Sequence, residues 1–126
     1  MAGSVVYVDH SEIVEGKVEE LKTALRELAE LVEAEEPGLV SYQVFLDEDE
    51  RHVSVLHVHH DADSLARHAA VAGPSFASFV GLVELRRIDL YGDVGPELVE
   101  RMRDKARLLG TGTVEVHPFH AGFARL

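Results

Sequence analysis

The chain has 126 residues, enough for one domain with a buried core and too few for two. Acidic residues outnumber basic ones 23 to 12, for a formal net charge of −11. Such a surface repels phosphate backbones and anionic lipid, so neither nucleic acid nor membrane is expected as a partner.

The opening MAGSVVYVDH has no basic n-region and no apolar h-region of useful length, so it is not read as a signal peptide. No run approaches the roughly 18 apolar residues of a membrane span, and a soluble cytoplasmic protein is expected. Residues 4–9, SVVYVD, are β-branched and predict a first strand. Val14, Val18, Leu21, Leu25, Leu28 and Val32 then recur at spacings of four and three, the stripe of an amphipathic helix that Pro37-Gly38 ends. Glu33, Glu35 and Glu36 belong to its solvated side on this reading. LVSYQVFL (39–46) is a second strand, and the short acidic link 47–50 makes it a hairpin with a third strand over about 51–60. Asp61 or Asp63 can cap a second helix through about Ala72. Gly73-Pro74 breaks it, and a further helical piece carries Phe76, Phe79, Val80 and Val83 on one side. ELRRIDLY (84–91) is a fourth strand, with Ile88 and Leu90 opposite Arg87, Asp89 and Tyr91, and with the adjacent Arg86 and Arg87 on opposite faces.

This order, β-α-β-β-α-β, predicts an α+β ferredoxin-like core over about residues 4–91, with an antiparallel sheet and two helices on one face. Residues 92–126 extend it. Gly95-Pro96 opens a third helix with Leu98, Met102, Ala106 and Leu109 on one stripe, and TVEVHPF (113–119) reads as a fifth strand. No repeat or linker divides the chain, so residues 1–126 are read as one domain. The strands are apolar on both faces, yet two helices cover only one. A homodimer packed through the uncovered face is expected.

The stretches VEGKVEELKTAL, EEPGLVSYQVFLDED and HVSVLHVHHDADSLARHAAVAGPSFASFVGLVELRRIDLY resemble the antibiotic biosynthesis monooxygenase family. The features that carry the likeness are a Gly-Lys near the first helix, an E-P-G turn into strand two and a tyrosine within that strand. A histidine in helix two follows, then a short spacer and Phe-x-x-Phe. The likeness covers about residues 5–91. It implies a dimeric α/β barrel and an oxygenase that needs no cofactor, acting on a small electron-rich polyphenol such as an anthrone. A base removes an acidic proton and the resulting carbanion reduces oxygen directly. A second branch of the family binds haem through the helix-two histidine, here His68. That branch also uses an asparagine in strand one and a tryptophan near the end of strand three. Here Asp9 or its neighbours, and His59 or His60, stand at those places, and the chain has no tryptophan. The alternative function is therefore a non-enzymatic binding protein for haem or another hydrophobic ligand.

Five of the eight histidines lie between His52 and His68. Alternation puts His57 and His59 on one face with Val53 and Val55, and His52, Leu56, Val58 and His60 on the other. Either face can meet the helices. Histidine titrates near neutrality, so His57 or His59 in an apolar cleft is a candidate base, with Asp9 on strand one to orient it. His68 shares the inward side of helix two with Leu65, Ala69 and Ala72. The catalytic candidates are His68, His59, His57 and Asp9. Tyr42 is a candidate substrate-binding phenol or an aromatic at the dimer interface. Phe76 and Phe79 are substrate-binding candidates at a spacing equally suited to core. His57-x-His59 selects metal only loosely, and the absence of cysteine excludes thiolate ligands, so no metal is expected. GTGT at 110–113 lacks the lysine and the length of a phosphate-binding loop.

Overall fold

The first strand, β1 (Val5–Ile13), forms the centre of the molecule in the computed structural model, which describes residues 3–126. Met1 and Ala2, part of the segment weighed above as a signal peptide, lie outside the described residues. β1 pairs antiparallel with β3 (His52–His59) on one side and β4 (Val83–Tyr91) on the other. β2 (Ser41–Leu46) pairs antiparallel with β3, and β5 (Gly110–His117) runs parallel to β4, giving the sheet order β2-β3-β1-β4-β5. The fold is α+β with ferredoxin-like connectivity through β4, and the sheet does not close on itself within the chain. No helix among the described residues is long and apolar enough to cross a membrane.

β1 outruns the predicted strand by four residues. His10, Ser11 and Glu12 have little strand propensity, but they are paired on both sides, and tertiary pairing overrides propensity in a central strand. Helix α1 (Val18–Glu35) consequently starts later than the stripe suggested. Val14 lies in the connection, and Leu21, Leu25, Leu28 and Val32 are the buried stripe. Helix α2 (Ala62–Ala72) is capped by Asp61, whose side chain accepts from the Ser64 amide at 2.9 Å. The piece after it is a 3₁₀ segment, Gly73–Phe79, shorter than predicted: Val80 is exposed and Val83 already belongs to β4.

Arg86 and Arg87 do not take opposite faces. The β1–β4 and β4–β5 registers both shift across Arg86, so it is the extra residue of a β-bulge and both guanidinium groups reach solvent. Leu85 before the bulge and Ile88 after it both point to the helices.

The extension packs against β4. Helix α3 (Pro96–Leu109) buries its predicted stripe of Leu98, Met102, Ala106 and Leu109, and returns the chain to β5. The GTGT segment serves that return. A Cβ on Gly110 would lie 2.5 Å from the backbone N and O of Leu85, and one on Gly112 would lie 2.7 Å from the carbonyl carbon of Arg86. Only glycine lets β5 come this close beside the bulge. The core lies between the sheet and its helices. The opposite face exposes Phe45 and Tyr91. Asp89 on that face is nevertheless buried, held by His10 at 3.1 Å, Arg87 at 2.9 Å and His117 at 2.8 Å.

Candidate active site

Register and alternation decide which histidines meet. On β3 the face carrying Val53, Val55, His57 and His59 is the one the helices cover. Tyr7 of β1 and Tyr42 of β2 are the cross-strand partners of His57. The His57 ring therefore stacks on Tyr7 at 4.1 Å and meets Tyr42 edge-on at 4.9 Å between centroids. His68 comes down from α2 to within 4.7 Å of His57, again edge-on. His59 stands one step further along β3, its Nδ1 2.8 Å from the Ser64 hydroxyl.

Between these rings and α1 lies a small cavity of about 50 Å³, below the usual range for small-molecule sites, so an aromatic ligand has to widen it by moving side chains. Leucine and valine side chains form half of its wall, with Tyr42, Phe76 and Phe79 as its aromatic members. Its polar groups are Asp9, Ser11, His57, His68 and Lys105. Of the sequence candidates, His57, His68, Asp9, Tyr42, Phe76 and Phe79 gather on this cavity. His59 does not line it; it packs behind, 5.7 Å from the His68 ring.

Two charged partners were not foreseen. Glu36 is buried, not solvated: the Pro37-Gly38 turn swings it under α2, where its Oε2 lies 2.9 Å from His68 Nδ1. Nothing in the sequence separates it from Glu33 and Glu35. Lys105, on α3, is the second. Its ammonium donates to Asp9 Oδ2 at 2.7 Å and to the Tyr7 hydroxyl, and sits 4.4 Å over the Phe76 ring. A signal for Lys105 was present, since it stands three residues after Met102 and four before Leu109 on an otherwise apolar stripe.

The electrostatics follow from this burial. Desolvation raises the Glu36 carboxyl to about 7, against a smaller opposing pull from Arg67. Burial pushes His68 well below the ordinary imidazole range, helped by His57 and Lys105, so His68 is neutral at neutral pH. Burial lowers His57 too, and brings His59 down to about 4. Burial also raises the Tyr42 and Tyr7 phenols. For Asp9 desolvation pulls upward, but Lys105 and then His57 outweigh it and hold the carboxyl well below its usual range. The site at neutral pH is thus one Asp9–Lys105 ion pair beside neutral imidazoles, with Glu36 near its midpoint.

Several polar atoms here lack partners. Asp9 Oδ1, both nitrogens of His57 and His59 Nε2 are buried without a hydrogen bond. His57 Nε2 is 3.6 Å from Asp9 Oδ2, in electrostatic contact but outside hydrogen-bond range. Such unpaired buried atoms are rare and cluster where a protein meets a ligand or water. No three histidine nitrogens among the described residues gather within 4.8 Å of one another. Among the described residues, the group whose ligand atoms gather within 4.8 Å is Asp47, Asp49 and His52, exposed on the β2–β3 hairpin.

A family model described as antibiotic biosynthesis monooxygenase matches residues 5–80. The fold is similar to MupZ from Pseudomonas fluorescens, at 18% identity and a TM-score of 0.74, covering 98% of this chain and 95% of that one. It is also similar to SnoaB, a cofactor-independent oxygenase from Streptomyces nogalater, at 22% identity and a TM-score of 0.60, covering 71% of this chain and 91% of that one. A conserved protein from Methanosarcina mazei Go1 shares the fold at 20% identity and a TM-score of 0.63, covering 71% of this chain and 92% of that one. No match is found among curated proteins.

Proposed function

The chain belongs to the antibiotic biosynthesis monooxygenase family, and we propose that it oxidises a small aromatic, polyphenolic substrate with O2 and no cofactor, using His68 and Glu36 as a proton relay. The observation that carries this reading is a neutral imidazole on the wall of an apolar, aromatic cavity, with its far nitrogen held by a carboxylate. When Glu36 is ionised it accepts the Nδ1 proton of His68, which leaves the Nε2 lone pair for the substrate. An imidazolium is costly in this surrounding. As Nε2 takes a proton from the substrate, the Nδ1 proton passes to Glu36, whose raised proton affinity suits it to hold the charge-neutral end of the relay.

The carbanion left at a methylene carbon gives one electron to O2, and the resulting radical pair combines into a peroxide. Loss of the second C–H proton and departure of hydroxide from the O–O bond leave a ketone and water. One oxygen atom enters the product and one enters water. The four electrons lost by the carbon are those O2 takes up, so no outside reductant is required. Tyr42, Phe76 and Phe79 are the aromatic walls that hold the ring system, and His57 fills the space between Tyr7 and Tyr42 at its polar end. Asp9 acts through Lys105 and not as the base, since its carboxyl is held ionised at low proton affinity.

Haem does not fit this arrangement. The rings of Tyr7, Tyr42, His57 and His59 stand 4.7 to 6.4 Å from that of His68, and a porphyrin on His68 would have to displace that shell. A homodimer is part of the proposal, formed through the sheet face that bears Phe45 and Tyr91. The test is oxygen uptake with the anthrone dithranol, in chelator and without added cofactor. The expected result is uptake above the autoxidation of dithranol, falling to that background in His68→Ala. Background uptake with the unaltered protein would refute the reading for this substrate class.

A further inference from the structure

The mechanism above gives the substrate's electrons somewhere to go but leaves the developing negative charge unattended. Ionising a C–H beside a ketone, or a phenol O–H, puts that charge mainly on oxygen. In an apolar cavity an oxyanion without a partner is strongly disfavoured. Lys105 is the cationic side chain on the cavity wall, and its surroundings fix it in place. Two of its three N–H groups are used, one by Asp9 Oδ2 at 2.7 Å and one by the Tyr7 hydroxyl. The third has no hydrogen-bond acceptor among the described residues. The Phe76 ring face, which also lines the cavity, covers the ammonium at 4.4 Å, a cation–π contact weaker than a hydrogen bond to an oxyanion, which a ligand oxygen would displace.

Burying a lysine–aspartate pair contributes little to stability compared with apolar side chains of the same size. A pair kept beside unpaired Asp9 Oδ1 and His57 nitrogens is better understood as machinery than as packing. Its origin in the chain matters too. Lys105 lies on α3, outside the matched residues 5–80, so the group is an addition of the C-terminal extension to the family core.

We propose that Lys105 is an oxyanion-binding residue, and that the cavity takes ligands whose acidic position is conjugated to a ketone or phenol oxygen, binding their ionised form through the third N–H of Lys105. Asp9 and Tyr7 are positioning residues that hold the ammonium toward the cavity. The inference deepens the oxygenase reading by assigning Lys105 a role at that site, and it rests on that reading for catalysis though not for binding. In a water-poor site a preformed donor aimed at developing charge is among the largest contributions to rate.

The test uses para-nitrophenol, whose phenolate absorbs visibly where its phenol does not, titrated with pH in the presence of the full chain. The unaltered protein should bind phenolate about tenfold more tightly than phenol, which lowers the bound probe's pKa by about one unit. Lys105→Arg, which keeps the charge, should retain the preference. The double substitution Asp9→Asn with Lys105→Met removes both buried charges together, avoids an unpaired carboxylate, and should abolish it. A preference that survives in the double variant overturns the assignment, as does a wild-type cavity that binds no phenolate or favours the phenol. The oxygenase reading fails separately: a lowered probe pKa without dithranol-dependent oxygen uptake would dismiss the oxygenase and keep the oxyanion site. Uptake unaffected by the double substitution would do the reverse.

Discussion

Replacing Glu36 by glutamine should make the protein more stable above neutral pH and far less active, a combination that a purely structural role does not produce. Glu36 has an ordinary carboxyl value of 4.5 in the unfolded chain and about 7 in the fold, where desolvation disfavours its charge. Because the folded value is raised, the native state holds a proton that the unfolded chain releases. Stability is therefore full below pH 4.5 and falls as pH rises toward 7, where the loss levels off. A difference of about 2.5 units corresponds to about 3 kcal/mol, an upper figure because solvent and Arg67 share the charge. Glutamine keeps a polar group beside His68 Nδ1 but cannot ionise, so Glu36→Gln should escape most of this loss. The same change removes the terminal proton acceptor. Loss of general-base assistance costs about 10²- to 10⁴-fold in rate, or about 3–5 kcal/mol of barrier. The parent protein should gain dithranol oxidation as pH rises through about 7, while the residual activity of Glu36→Gln should be flat there. Urea denaturation at about pH 6 and about pH 8 gives the stability arm, and oxygen uptake over the same range gives the activity arm. A variant with parental rates, or one destabilised equally at both pH values, would refute the relay.

Asp9→Asn alone should destabilise the protein by about 3–5 kcal/mol, because it leaves the Lys105 charge buried without a partner, and the added Lys105→Met change should restore most of that in urea titration. Asp9 is held low in the fold, so its stabilisation is complete above the ordinary carboxylate value and lost as pH falls; acid unfolding of the double variant should accordingly be shallower. Gly110→Ala forces a Cβ against the Leu85 backbone and should cost about 1–3 kcal/mol by thermal denaturation. A β5 that shows no loss would mean the strand does not need its close approach to β4. Phe45→Glu puts charge on the open sheet face and should convert a homodimer to monomer in sedimentation equilibrium. A parental protein that is already monomeric at micromolar concentration would remove the dimer from the proposal.

Local pattern was sufficient for the elements and for their order. The leucine spacing on α1, the E-P-G turn, the acidic hairpin and the Asp61 cap each depend on neighbours within a few residues, and the structure has them where the pattern puts them. His68 was recognisable as inward-facing on its helix, and His57 and His59 as sharing one strand face, because strand and helix periods are short-range rules. Which sheet face the helices cover was not decided by alternation. That question was settled by the helices closing over His57: His68 of α2 meets its ring at 4.7 Å and Leu21 of α1 lines the same cavity. The bulge at Arg86 reversed the alternation of β4, and it depends on pairing with two other strands. Glu36 looks like any glutamate of a solvated helix face until the turn at Pro37 carries it beneath α2. Lys105 meets Asp9 only because α3 folds back over the sheet, joining residues 96 positions apart. The sequence by itself determined the order of the secondary elements, the family and which histidines share a face, since periodicity and capping are local. Tertiary structure alone decided the charges that act on those histidines, because a pKa is set by whatever the fold brings within a few ångströms and by the water it excludes.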